Sequence, residues 1–324
     1  MKRVAITGYK KAELLNDLPD FDQPVGAENL RGRTLVSLIS SGTELNYAYL
    51  ATEKFPKGVG YACVFEVTEV GNDVSDYQLG DRVFVSGNHK EFQECSASAT
   101  CKLPADMKPE TAVFARLMGV SMSTLNTAAA HPPSQVLVTG LGLVGNLAAQ
   151  IFHRCGYTVT ASDPDEARCQ LARELGIPDV RSRLGENAED LKGKICLHLE
   201  CAGHEAAVLD GCNLMRSKGE CVLVGVPWSK RVDLQSFDIL HAVFHNYVTL
   251  RSGWEWEIPR KAEIYKLHSL IENYRAAIKW LYEGSVKVDT LGSCHSPSDC
   301  QRVYDQLFDH SLPTPAAILD WRKL

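Results

Sequence analysis

Two rhythms of apolar residues run along this chain. Through residues 1–128 the apolar runs are short and broken by Gly, Asn or Asp, as in VSLIS (36–40), FEVTEVG (65–71) and DRVFVSG (81–87). Such runs between turn residues predict β-strands, and Gly80-Asp81-Arg82-Val83 predicts a turn between strands of a partly open barrel. One helix is expected over 109–128, from Pro109 past Phe114, Leu117 and Met118 to about Ala128. His131-Pro132-Pro133 reads as a linker.

From residue 134 the rhythm changes to strand–helix alternation. Strands are expected at 136–139, 157–161, 196–203, 220–227 and 248–253, with helices at 144–155, 165–175 and 262–283. Alternation of this kind predicts a doubly wound parallel sheet. The chain then returns to a helix at 297–309 and a strand at 316–320.

The stretch 136–163, VLVTGLGLVGNLAAQIFHRCGYTVTASD, carries the sharpest chemical signal. A buried-type strand runs into Gly140-x-Gly142-x-x-Gly145, a helix with apolar Leu147, Ala148, Ile151 and Phe152, a second strand, and then Asp163. That order is a dinucleotide-binding fingerprint. Gly140 permits the tight turn, Gly142 lets backbone approach a pyrophosphate, and Gly145 lets helix and strand pack closely. Leu143 and Val144 join the glycines as cofactor-binding candidates, and the N-terminal N–H groups and dipole of the helix that follows favour phosphate. A carboxylate at Asp163 would accept the ribose hydroxyls and repel a 2′-phosphate, which points to NAD(H) over NADP(H).

Composition narrows the class without naming it. The 324 residues are 45% hydrophobic and 23% charged, with formal net charge -6. That length suits two domains, and the mild acidity offers no footprint for nucleic acid or an anionic membrane. No apolar run approaches the length of a membrane span, and the N-terminal MKRVAITGYKK lacks a signal-peptide core, so a cytoplasmic location is expected. Eleven cysteines are scattered without a CxxC pair, which predicts reduced thiols and argues against a metal cluster.

With these residues in place, the chain resembles the medium-chain dehydrogenases/reductases along essentially its whole length. Ser41-Gly42-Thr43-Glu44 is similar to that family's Cys-Gly-Thr-Asp segment, Gly60-Tyr61-Ala62 to its Gly-His-Glu segment, and Gly80-Asp81-Arg82-Val83 matches it outright. The resemblance implies a GroES-like, partly open β-barrel catalytic domain over 1–128, completed by 285–324. It also implies a Rossmann NAD-binding domain, a doubly wound parallel sheet, over 129–284. Carried over residue by residue, it places Arg168 beside the adenosine, Ser123 on the helix facing the nicotinamide, Cys201, Ala202 and Gly203 along adenine and ribose, and Val224, Gly225 and Val226 along the nicotinamide.

The departures from the family are as informative. In its zinc-dependent members the matching positions supply Cys, His and Glu ligands, whereas here they are Ser41, Tyr61 and Ala62. The four-cysteine structural zinc lobe has no counterpart in SGNHKEFQECSASATCKL (86–103). No metal is expected, so a side chain must stabilise the substrate oxygen during hydride transfer. Thr43 matches the family's proton-relay position, Tyr61 stands in place of a zinc-binding His, and Glu44 could orient Thr43. Each has a structural alternative: Thr43 satisfying a turn, Tyr61 filling volume, Glu44 paired with an arginine.

Trp254 and Trp256, interleaved with acids in RSGWEWEI (251–258), and Tyr47 are candidates for the substrate pocket, with a surface or interface role equally open for the tryptophans. In the family the strand before this segment often pairs with its copy, which implies a homodimer. The expected reaction is hydride transfer between NAD and a secondary alcohol/ketone on a small polyol, sugar or cyclitol. The SGTE segment and absent ligands also resemble the dehydrogenase acting on a hydroxyethyl side chain of bacteriochlorophyll precursors, which admits a larger ring. A quinone/enoyl (C=C) reductase and a non-catalytic nucleotide sensor are the rival readings.

Overall fold

The computed structural model describes residues 1–19 and 21–324, without the side chains of Glu186 and Asn187. It divides into two compact units: Met1–Arg116 with Tyr274–Gly284 and Val288–Leu324, and Leu117–Asn273 with Ser285–Lys287.

The first unit opens with strands β1 (Arg3–Gly8), β2 (Lys11–Leu15) and the long, almost wholly buried β3 (Asn29–Leu38). A short helix, α1 (Ser41–Glu44), follows and continues as a π-helical turn through Tyr49. Then come β4 (Lys57–Gly58), β5 (Cys63–Val70), β6 (Arg82–Val85), β7 (Phe92–Ser96) and β8 (Cys101–Lys102). β5 pairs antiparallel with β3 from Leu30↔Val70 to Ser37↔Cys63, which turns Leu30, Phe65, Val67 and Val83 into one apolar cluster.

The helix expected over 109–128 is two helices, α2 (Pro109–Ala112) and α3 (Ala115–Thr127). The Phe114 N–H bonds the Thr111 carbonyl, a tightened turn that breaks the ladder and buries Val113 and Phe114.

The second unit alternates strands and helices: β9 (Gln135–Thr139), α4 (Leu143–Arg154), β10 (Thr158–Ser162), α5 (Glu166–Glu174), β11 (Asp179–Arg181), β12 (Ile195–Glu200), α6 (Glu205–Leu214), β13 (Met215–Leu223), α7 (Ser236–His245) and β14 (Thr249–Ser252). All pairings are parallel in the order β11-β10-β9-β12-β13-β14. The strand order reverses between β9 and β12, and the carboxyl ends of strands at such a switch point are where open α/β sheets bind ligands.

The helix expected over 262–283 begins later, as α8 (Leu270–Tyr282). Ser269 and Glu272 make a capping box: the Ser269 hydroxyl accepts from the Glu272 N–H at 3.3 Å and donates to its carboxylate at 3.0 Å. Upstream, Ile264, Tyr265 and Leu267 are exposed, outside the stripe of buried Leu270, Tyr274, Ala277, Ile278 and Leu281 that gives α8 its periodicity.

The chain returns to the first unit with β15 (Gly292–His295), α9 (Cys300–Phe308) and β16 (Ala316–Asp320). The larger sheet there has the order β15-β16-β3-β5-β6-β8, with β7 also on β3. A second apolar cluster gathers Val4, Ile6, Ile39, Tyr49, Tyr304 and Trp321. The architecture is the partly open barrel plus doubly wound parallel sheet of the sequence reading.

Candidate active site

In the second unit the glycine turn joins β9 to α4. Gly140 has φ +83, and a Cβ on Gly145 would stand 1.7 Å from the Gly140 carbonyl oxygen, so neither tolerates a side chain. A Cβ on Gly142, the N-cap of α4, would meet nothing within 4 Å. Its glycine is therefore not demanded by the protein's own packing, as expected where a ligand's backbone contact is reserved. The N–H groups of Leu143, Val144 and Gly145 form the first turn of a 12-residue helix, where intrahelical partners are lacking.

Asp163 follows β10 and is buried. One carboxylate oxygen accepts from the Leu141 N–H at 2.7 Å and the other from the Asp165 N–H at 2.9 Å. Arg168, reaching back from α5, lies 3.4 Å from Asp163 and 3.7 Å from Asp165. The acid thus ties the glycine turn to the end of the neighbouring strand.

Past β12, Cys201, Ala202 and Gly203 form a turn held by a residue the sequence reading missed, Glu200. Its buried carboxylate accepts from the N–H groups of Ala202 at 2.8 Å, Gly203 at 3.0 Å and His204 at 3.4 Å. Burial pushes this carboxyl up to about 7, against the opposing pull of those three donors. Its signal was a carboxylate closing an otherwise apolar strand. Burial likewise holds His198 down to about 3 and raises the Cys201 thiol well above its usual range. His204 is a helix-start residue, its Nδ1 accepting from the Ala206 N–H at 3.2 Å.

Val224, Gly225 and Val226 lie just beyond β13, and a Cβ on Gly225 would stand 2.4 Å from the Gly203 nitrogen. The two strand-end loops therefore meet backbone to backbone. Ser123 on α3 is buried and donates its hydroxyl to the Gly119 carbonyl at 2.9 Å. Trp254 precedes the short turn Glu255–Glu257 and Trp256 lies within it, and they are 63% and 55% exposed. Arg251 on β14 ion-pairs with Glu257 at 3.1 Å and with Glu220.

In the first unit, Thr43 is exposed on α1, and Tyr47 is exposed with the Lys57 ammonium 4.9 Å from its ring centroid. Tyr61 donates its hydroxyl to Ser40 Oγ at 2.7 Å, and the Arg116 guanidinium lies 4.4 Å from its ring centroid. Ser40 was not singled out from the sequence. Glu44 is buried, and its partners are the Ser40 N–H at 2.8 Å, His89 Nε2 at 3.2 Å and the Tyr304 hydroxyl, in place of the arginine considered from sequence.

A zinc ion does not fit these side chains. The positions that would carry ligands hold Ser41, Tyr61 and Ala62, and among the described residues no three His, Cys, Asp or Glu groups are placed to hold a metal. Among the described residues no cysteine is in a disulfide.

A barrel-like sheet unit and a doubly wound sheet with this glycine turn form the two-unit architecture found in nicotinamide-dependent oxidoreductases. The zinc-binding dehydrogenase family model matches residues 144–272. L-threonine 3-dehydrogenase of Thermococcus kodakarensis is 26% identical over 240 residues, 62% of this chain and 68% of that protein. D-guloside 3-dehydrogenase of Shigella flexneri is 31% identical over 144 residues, 42% of this chain and 41% of that protein. Among solved structures, galactitol-1-phosphate dehydrogenase from Escherichia coli superposes with TM-score 0.82 at 17% identity, covering 99% of this chain and 100% of that one. Over the residues that these comparisons match, the chain is similar to dehydrogenases of the medium-chain type.

Proposed function

We propose that this protein is an NAD(H)-dependent, metal-independent dehydrogenase that interconverts a secondary alcohol and its ketone on a small polyol, sugar or cyclitol. The observation that carries the reading is the Tyr61–Ser40 hydroxyl pair, formed in the segments where zinc-dependent relatives carry their ligands. The names of the relatives, dehydrogenases of threonine, a guloside and galactitol 1-phosphate, support a hydroxyl-bearing substrate.

Gly140, Gly142, Leu143, Val144 and Gly145 would cradle the pyrophosphate, Asp163 and Arg168 the adenosine ribose, and Cys201, Ala202, Gly203, Val224, Gly225 and Val226 the remaining cofactor. Ser123 keeps its hydroxyl within its own helix and would offer the cofactor packing only. NAD, when bound, supplies the hydride acceptor. In the reductive direction Ser40 gives its hydroxyl proton to the substrate oxygen as the carbon receives hydride and takes the Tyr61 proton in its place, leaving a Tyr61 phenolate; oxidation runs the same steps in reverse, the phenolate taking up the alcohol's proton through Ser40 as the carbon gives up hydride. Ser40 accepts from Tyr61, so it keeps its own hydroxyl proton for a substrate oxygen. Thr43, exposed beside this pair in sequence, and Tyr47, Trp254 and Trp256 are proposed to orient the substrate. Glu44, with its oxygens engaged, acts on the reaction by holding Ser40.

A homodimer formed through β14 is part of this reading. β14 ends the sheet, and Phe237, Leu240 and Phe244 on the preceding helix expose an apolar face.

Fluorescence titration with NADH and NADPH, followed by a panel of polyols, cyclitols and enones, tests the proposal. Tighter NADH binding and alcohol oxidation that survives a chelator are expected, with Tyr61→Phe lowering kcat by about 10²-fold or more. Asp163→Ser should weaken NADH and narrow its advantage over NADPH. Preference for NADPH with turnover of enones alone would move the protein to C=C reduction, and binding without turnover would make it a sensor.

A further inference from the structure

We infer that His89 is the positioning residue for the Ser40–Tyr61 hydroxyl pair, acting through Glu44; the inference rests on the reading of that pair as the proton donor. His89 lies between β6 and β7 and is fully buried, as are Ser37, Tyr304 and Trp321 within a few per cent. Its Nδ1 is 2.8 Å from Ser37 Oγ and its Nε2 is 3.2 Å from Glu44. The Trp321 indole N–H donates to Ser37 Oγ at 2.9 Å.

One direction of donation satisfies every member of this chain: the indole N–H donates to Ser37, the Ser37 hydroxyl donates to His89 Nδ1, and Nε2–H donates to the Glu44 carboxylate. Glu44 also takes the Tyr304 hydroxyl, while Tyr304 stacks on Tyr49 with ring centroids 5.4 Å apart. Its remaining oxygen takes the Ser40 N–H. A buried carboxylate is costly unless satisfied, and these three donors satisfy it.

The consequence falls on Ser40. Serine at a helix N-cap ordinarily spends its hydroxyl on the helix's own N–H groups. Ser40 is the N-cap of α1 and makes no such bond; Glu44 reaches back to its N–H and its Oγ is left to Tyr61. His89 also borders the backbone that leads into Tyr61. A Cβ on Gly60, the residue before Tyr61, would stand 2.5 Å from the His89 nitrogen, and the His89 N–H donates to the Val59 carbonyl at 3.0 Å. The same residue therefore sets both partners of the pair, from α1 through Glu44 and from the β4–β5 connection through its own backbone.

The test uses the full-length protein with tyrosine isotopically labelled at Cζ, the Tyr61 resonance being assigned with Tyr61→Phe. His89→Leu should shift the Tyr61 resonance and its titration, and lower kcat by about 10²-fold while NADH affinity stays within about twofold. His89→Gln, which can present an N–H near the imidazole Nε2 position, should recover most of both. Combined with Tyr61→Phe, His89→Leu should add less than about twofold, because residues acting as a unit are not additive. If His89→Leu does not fold, Ser37→Ala, which removes the donor to Nδ1, should give the same changes at about tenfold in kcat.

A folded His89 or Ser37 variant with an unmoved Tyr61 resonance overturns the inference, as does full additivity with Tyr61→Phe. A Tyr61 resonance that shifts in His89→Leu, together with a wild-type protein that turns over no alcohol, leaves the positioning role standing and removes the dehydrogenase reading instead.

Discussion

Replacing Glu200 by glutamine should remove about 2 kcal/mol of the stability lost between about pH 5.5 and about pH 8. The carboxyl is 1% exposed and is raised by burial from an ordinary 4.5 to about 7. A group whose folded pKa lies above its unfolded value favours folding in its protonated form. Its contribution is fully present below pH 4.5 and is lost as pH rises through about 7. Between about pH 5.5 and about pH 8 that loss amounts to about 2 kcal/mol, at about 1.4 kcal/mol per pKa unit. The three backbone donors at the 201–204 turn offset part of the cost of ionisation, so the turn remains formed while global stability falls. Denaturant unfolding of wild type and Glu200→Gln at both pH values isolates this group, since other titrations cancel in the comparison. The wild-type advantage should shrink by about 2 kcal/mol on going to the higher pH. Equal pH dependence in the two proteins, within about 0.5 kcal/mol, would show an unperturbed carboxyl and refute the reasoning.

Two further substitutions separate packing from ligand binding and test a helix start. Gly142→Ala, whose new Cβ meets open space, should melt as wild type does yet bind NADH more weakly; Gly145→Ala, whose Cβ meets backbone at 1.7 Å, should lose both stability and binding. Equal melting losses in a thermal scan would contradict that division. Ser269→Ala removes the cap of α8 and should lower stability by about 1 kcal/mol in denaturant unfolding, and an unchanged midpoint would show that α8 starts elsewhere.

The dinucleotide unit was legible because its chemistry is local. Strand, glycine turn, helix, strand and Asp163 lie within one continuous stretch, and each step is dictated by near neighbours: a left-handed φ at Gly140, a close contact at Gly145, apolar residues at helical spacing along α4. The alternation of strands and helices likewise carried the parallel sheet, because right-handed crossovers leave few ways to lay such elements down. Short-range signals served less well at element ends. The apolar residues at 264–267 extended the apparent periodicity of α8, although the Ser269–Glu272 capping box that starts it was present in the sequence.

Only the tertiary structure decided what surrounds Ser40, Tyr61 and Glu44. Glu44 finds His89 45 positions away and Tyr304 260 positions away, and Ser37 receives Trp321 from 284 positions away. No periodicity records such pairings, because a buried polar group can be satisfied by any donor the fold delivers. Glu200 is the local counterpart: its three partners are its immediate neighbours, yet its perturbed carboxyl follows from burial by the sheet around it. The sequence by itself determined the two architectures and the segment that addresses a dinucleotide, through spacing and backbone conformation. The fold decided which hydroxyls are released from structural duty and which carboxylates are held in place, since burial and long-range partners exist only once the chain has closed on itself.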